Sequence, residues 1–198
     1  MTTTMIRDGV TCLADAGKHE LMMAMARAYD LHVFVETGTH EGDTVAAMLA
    51  SGQFERVCSV ELSEPHFERA ARRLAGDPRL DLAHGDSGEF LEQLVPRLGQ
   101  PTLFWLDAHP GEPGTAGVYG RTPLRQELHA IFDGGGGEIE ARSSGDREDG
   151  TALPHVVLID DARLFHHAGW VQLPEIREIA RGWDVTLADD IVRITRPR

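Results

Sequence analysis

Cysteine is scarce in this 198-residue chain. Cys12 and Cys58 are the only two, too few for a disulfide framework and without the spacing of a metal cluster. Cys58 falls in an apolar run and reads as a small core residue. Basic residues are also short, 19 against 32 acidic, for a formal net charge of −13. Proteins that grip a phosphate backbone usually carry a basic face, so no nucleic-acid partner is expected. No apolar run reaches membrane-spanning length, and the opening MTTTMIRDG lacks the apolar stretch of a secretory signal. The expectation is a cytoplasmic protein with no membrane partner. It forms a single domain over residues 1–198, large enough for a sizeable core. Residues 1–16 show no readable pattern. Residues 134–151, GGGGEIEARSSGDREDGT, almost lack apolar side chains and read as a flexible insertion.

Against these absences stands residues 31–42, LHVFVETGTHEG. Val33, Phe34 and Val35 form the kind of run that fills a buried parallel strand. Glu36 follows, then a turn with Gly38 and Gly42, then a helical segment at 43–50. Strand, glycine turn and helix are how α/β folds bring a ligand to the carboxyl ends of their strands. Glycine permits close backbone approach, and the helix start offers free N–H groups. The spacing is E-x-G-x-x-x-G, not the dinucleotide G-x-G-x-x-G. A carboxylate before the first glycine would repel a pyrophosphate but suits a cationic or hydroxyl-bearing ligand.

The pattern then repeats. A helix at 18–29 precedes the first strand, with Leu21, Met22, Met25 and Tyr29 on one stripe. Further strands are expected at 56–61, 80–83, 102–106 and 156–159. Helices are expected after Ser63, Ser87 and Thr122, each read as a cap, and from Pro174. Residues 183–187 and 191–194 alternate about a short turn, as a terminal antiparallel hairpin does. The second strand ends in Glu61, one βαβ unit after Glu36. The two acids should face one crevice, where a carboxylate can accept both hydroxyls of a ribose.

Glu36-Thr37-Gly38-Thr39-x-x-Gly42-x-Thr44 resembles the glycine motif of class I S-adenosylmethionine (SAM)-dependent methyltransferases. It looks most like the metal-dependent O-methyltransferases acting on catechols and caffeoyl-CoA. The resemblance implies an α/β, three-layer Rossmann-like fold with a seven-stranded, mostly parallel sheet and a C-terminal antiparallel hairpin. It implies SAM binding by Glu36, Thr37, Gly38, Thr39, Gly42, Thr44, Glu61, Asp86, Ser87 and Asp107. Asp86 would stand beside the adenine amine or, with Ser87, cap the next helix. In such families the helix before the first strand often lines the substrate pocket, which brings in Met22 and Met25.

Asp107 closes the fourth expected strand, and Asp160 and Asp161 close the fifth. Crowded carboxylates oppose one another's ionisation, and a hard divalent cation relieves this. By resemblance, Asp107, Asp160 and Asp161 would ligate magnesium, manganese or calcium; otherwise Asp160 or Asp161 caps the following segment. One departure stands out. Where the catechol-type enzymes have a basic lysine after the fourth-strand aspartate, this chain has Ala108, His109, Pro110 and Gly111. His109 could act as base, be structural, or leave deprotonation to the metal. The expected function is O-methylation of a small hydroxylated molecule, by a monomer or a homodimer. The alternatives are another reaction on the same fold, or a non-catalytic interaction protein.

Overall fold

A computed structural model describes residues 4–108, 122–133, 153, 155–167 and 169–197. The candidate base His109 and the 134–151 insertion lie outside the described residues. The chain opens with an antiparallel hairpin, β1 (Thr4–Arg7) and β2 (Val10–Leu13). Asp8 and Gly9 between them both have positive φ, the requirement of a tight two-residue hairpin turn. There follow α1 (Asp15–Ala28), β3 (Val33–Thr37), α2 (Asp43–Ser51), β4 (Arg56–Glu61), α3 (Glu64–Arg73), β5 (Leu80–His84) and α4 (Ser87–Leu94). The second half comprises β6 (Thr102–Leu106), α5 (Leu124–Phe132), β7 (Val156–Ile159), a 3-10 turn (Ala162–His166), α6 (Leu173–Ile179), β8 (Asp184–Ala188) and β9 (Ile191–Thr195).

Strands β3 to β9 form one seven-stranded sheet in the order β5-β4-β3-β6-β7-β9-β8. β3 through β7 are parallel, and the β8–β9 hairpin is antiparallel to β7. The strand order reverses between β3 and β6. A crevice opens at such a reversal because the connections on either side leave towards opposite faces.

Period-two alternation splits each strand between two cores. Val33, Val35, Phe104, Leu106, Val157 and Ile159 pack with Leu91, Leu128 and Ile176 of α4, α5 and α6. Phe34, Leu103, Trp105, Val156 and Leu158 pack with Met22 and Ala26 of α1 and with Val45 and Met48 of α2. The result is a three-layer α/β architecture, as the motif resemblance implies. Met22 is fully buried in that core, so it serves packing and not a ligand surface.

Three helix starts differ from expectation. The cap position of α5 is Pro123, not Thr122, although Thr122 Oγ1 accepts from the Leu124 N–H at 3.2 Å. Ser63 stands at the cap position of α3 but makes no side-chain capping bond; its N–H instead donates to Glu61 Oε1 at 2.8 Å. Asp86, not Ser87, caps α4, accepting from the Glu89 N–H at 3.1 Å. Its carboxylate is longer than a hydroxyl and negative where the helix start is positive. Among the described residues no helix is long and apolar enough to cross a membrane.

Candidate active site

Strand register assembles the site. Thr37 is paired with Val60 of β4 and Leu106 of β6, and Leu106 with Ile159 of β7. The next residue of each strand is therefore level with the others: Gly38, Glu61, Asp107 and Asp160. Backbone bonds carry the row past the strand ends, from Gly38 N to Val60 O, Asp107 N to Thr37 O and Asp160 N to Leu106 O. Alternation from Trp105 and Leu158 aims Asp107 and Asp160 at the α1 side of the sheet. Glu36 and Glu61 face the same way, in step with Phe34 and Val57.

Gly38 has φ +86°, and a Cβ there would lie 2.8 Å from Asp107 O. Glycine is thus required where the β3 turn crosses the end of β6. Gly42 has φ +79°, but its missing Cβ makes room for Leu74, the residue that ends α3 as its C-cap. It serves helix packing, and unlike Gly38 it does not line the cleft. Thr39 Oγ1 lies 2.6 Å from Ser59 Oγ, which donates to Glu36 Oε2 at 2.7 Å. Glu36 is only 2 % exposed. Burial lifts its carboxyl to about 8; the hydroxyls of Ser59 and Thr44 oppose the shift, and the charges of Asp107 and Glu61 add to it. Glu61 accepts from the backbone N–H of His40 at 2.7 Å and of Ser63 at 2.8 Å, one bond to each oxygen. Those bonds fix the carboxylate and leave further lone pairs for a ligand.

These groups border one cleft of about 1670 Å³, larger than the pockets that hold single small ligands. Along the strand ends it is bordered by Asp86 and Ser87 after β5, Glu61 of β4, Glu36, Gly38, Thr39 and Thr44 of β3 and the turn and helix after it, and then Asp107, Asp160 and Asp161 after β6 and β7. Thr37 is the exception beside Gly42. Its side chain is fully buried and does not line the cleft; it lies against Glu127 of α5.

The acidic end carries its own cations. Lys18 of α1 ion-pairs with Asp160 Oδ2, and the Asp161 N–H donates to Asp160 Oδ1 at 2.8 Å. The Lys18 ammonium also lies 5.9 Å from the Trp105 ring centroid. Burial disfavours that ammonium, but Asp160, with Asp107 and Asp161 behind it, outweighs this and holds Lys18 above the ordinary lysine value. Asp160 is itself raised, first by burial and then by Asp107, with Lys18 opposing. Asp161 sits at φ +55° and pairs with Arg163, which also pairs with Asp190 of the β8–β9 turn. Asp8 of the N-terminal hairpin lies 3.4 Å from Arg163.

The cations already in place do the work expected of a divalent ion. Lys18 pairs with Asp160 and Arg163 with Asp161, and among the described residues no group of three His, Cys, Asp or Glu side chains is placed to hold a metal. The two cations that neutralise the acids escape sequence reasoning. Lys18 looks like one more polar helix position, and Arg163 like part of an irregular connection. One signal was available: of the 19 Lys and Arg residues, Lys18 is the only lysine.

No protein-family model matches the chain, and no curated protein matches it. Solved structures do. A methyltransferase of Podospora anserina, PaMTH1, bound to S-adenosylhomocysteine (SAH), superposes with a TM-score of 0.60 at 13% identity, over 94% of this chain and 80% of that one. The SAM-bound O-methyltransferase TomG of Streptomyces achromogenes gives 0.58 at 14%, over 94% and 82%. An SAH-bound O-methyltransferase of Bacillus cereus gives 0.51 at 13%, over 92% and 82%. At such identities the likeness establishes the fold: the chain has the seven-stranded, three-layer fold of the class I methyltransferases.

Proposed function

We propose that the protein is a SAM-dependent O-methyltransferase acting on a small hydroxylated molecule. The observation that carries this reading is the row Gly38, Glu61, Asp107 and Asp160 at the carboxyl ends of four adjacent parallel strands. It borders a cleft with room for two ligands. SAM or SAH occupies the three solved structures of the same fold named above, two of them O-methyltransferases. The net charge of −13 favours a small acceptor over a nucleic acid.

Glu61 receives the ribose hydroxyls, its carboxylate held in plane by His40 and Ser63. Gly38 lets the turn approach the ligand, and Thr39, Thr44 and Glu36 border the same side. Asp86 caps α4 with one oxygen and has another for the adenine amine. When bound, SAM supplies an electrophilic methyl group, which the acceptor oxygen receives as the carbon–sulfur electron pair returns to sulfur. His109 takes the acceptor's proton in this reading. Its ordinary range suits a base near neutral pH. Metal assistance, expected from the resemblance, is not part of the proposal because Lys18 and Arg163 already pair with Asp160 and Asp161.

Titration calorimetry with SAM and SAH is the test. The parent should bind both. Glu61→Ala should weaken both by about 1.5–3 kcal/mol, the worth of a charged hydrogen bond. A parent that binds neither ligand overturns the reading, and undiminished affinity in Glu61→Ala removes the ribose role.

A further inference from the structure

We propose that Lys18 is this chain's built-in substitute for a divalent ion, its ammonium holding the row Asp107, Asp160 and Asp161 so that the site works without a metal. The functional meaning rests on the methyltransferase reading, since this row ends the cleft opposite the ribose carboxylate. The charge argument itself does not depend on that reading.

Buried Asp160 and Asp161, with half-buried Asp107 beside them, need positive charge, because each opposes ionisation of the others. Two kinds of cation can supply it, and they compete for the same oxygens. A metal at Asp160 would have to displace the Lys18 ammonium, which is ion-paired with Oδ2. Asp161 has a cation of its own in Arg163. The Lys18 side chain is 13% exposed and borders the cleft beside Trp105 and Asp107.

The choice of residue supports the same conclusion. Every other basic residue of the chain is arginine. Guanidinium is a flat fork suited to bidentate surface pairs, as in the Arg79–Asp77 pair. Ammonium is a compact point charge, nearer in shape to a small ion. It carries three N–H donors, and Asp160 uses one. The others can reach an acceptor oxygen in the cleft. An ammonium suits an oxygen that develops or carries negative charge, such as a phenolate or enolate.

The test uses Mn²⁺ as probe, with thermal melts of the full chain. The parent's melting temperature should be unmoved by Mn²⁺ or EDTA. In Lys18→Met, Asp160 and its neighbour Asp107, no longer facing the ammonium, should acquire a Mn²⁺-dependent rise of several degrees. Adding Asp160→Asn to Lys18→Met should abolish the rise, which locates the ion. A Mn²⁺-dependent rise in the parent overturns the proposal, as does the lack of any gain in both Lys18→Met and Lys18→Gln. Should neither variant fold, a Mn²⁺ titration of the parent followed by electron paramagnetic resonance decides: a tightly bound ion overturns the proposal, and none upholds it. SAM calorimetry on the parent, with and without EDTA, is read separately. Absent SAM binding sinks the methyltransferase reading without touching the Mn²⁺ result.

Discussion

Two glycines of one motif do different work. At Gly38 the obstacle to a side chain is backbone, the carbonyl of Asp107, and φ is +86°. At Gly42 it is the tip of Leu74, a flexible side chain, although φ is also positive. Gly38→Ala should therefore cost about 1–3 kcal/mol of stability from the strained backbone. It should also weaken SAM binding, because relief must move the turn or the Asp107 strand end. Gly42→Ala should lose stability with SAM affinity nearly intact, and Leu74→Ala in the same chain should recover part of the loss. Urea denaturation and calorimetry on the variants check this; equal loss of SAM affinity at both glycines would contradict it. The motif was legible as residues and spacing. The reason for its second glycine was not, because that reason is a helix distant in sequence.

Elements were legible in proportion to their burial. β3, β4, β6 and β7 are almost wholly buried, so each carries a dense cluster of apolar residues that stands out from its flanks. The β1–β2 hairpin buries only Cys12 and Leu13 among the described residues and leaves Ile6 and Val10 exposed, so no alternation marks it. Its turn residue Asp8 nonetheless approaches Arg163, which joins the 3-10 turn after β7 to Asp190 in the β8–β9 turn. Arg163 is the staple between three elements that share no sequence pattern. Arg163→Met should leave Asp161 and Asp190 buried without their counter-ion, at a cost of about 3–5 kcal/mol. Chemical denaturation measures it, and a loss under about 1 kcal/mol would mean that the pairs are replaceable by water.

For the whole molecule, buried carboxyls make stability depend on pH in an unusual direction. Glu36 is held at about 8 and Glu127 at about 7, each chiefly by burial, against 4.5 when unfolded. Between those values the folded state keeps a proton that the unfolded chain has released. Raising the pH through that window therefore lowers stability, and above about 8 the effect is complete. His155 acts oppositely. Burial, helped by the charge of Arg196, lowers it to about 4, so acidification below 6.5 favours the unfolded chain. The difference between parent and Glu36→Gln isolates one group. Melting temperatures from pH 5 to 9 should fall less steeply in Glu36→Gln. Parallel curves would mean that Glu36 is ionised throughout.

The sequence by itself determined the alternation of strands and helices, the glycine turn after the first strand of the large sheet, and the carboxylates that end the strands. Each is a local signal, because burial on both faces forces apolar runs and a parallel strand must end in a turn. Tertiary structure decided what those carboxylates meet. Asp107, Asp160 and Asp161 read alike along the chain and admit a metal. Only the packing of α1 across the sheet brings Lys18 to Asp160, and only the return of the β8–β9 hairpin brings Asp190 to Arg163. Charge compensation acts through space over distances that sequence spacing does not encode, so the counter-ions of the site appear only once the layers are stacked.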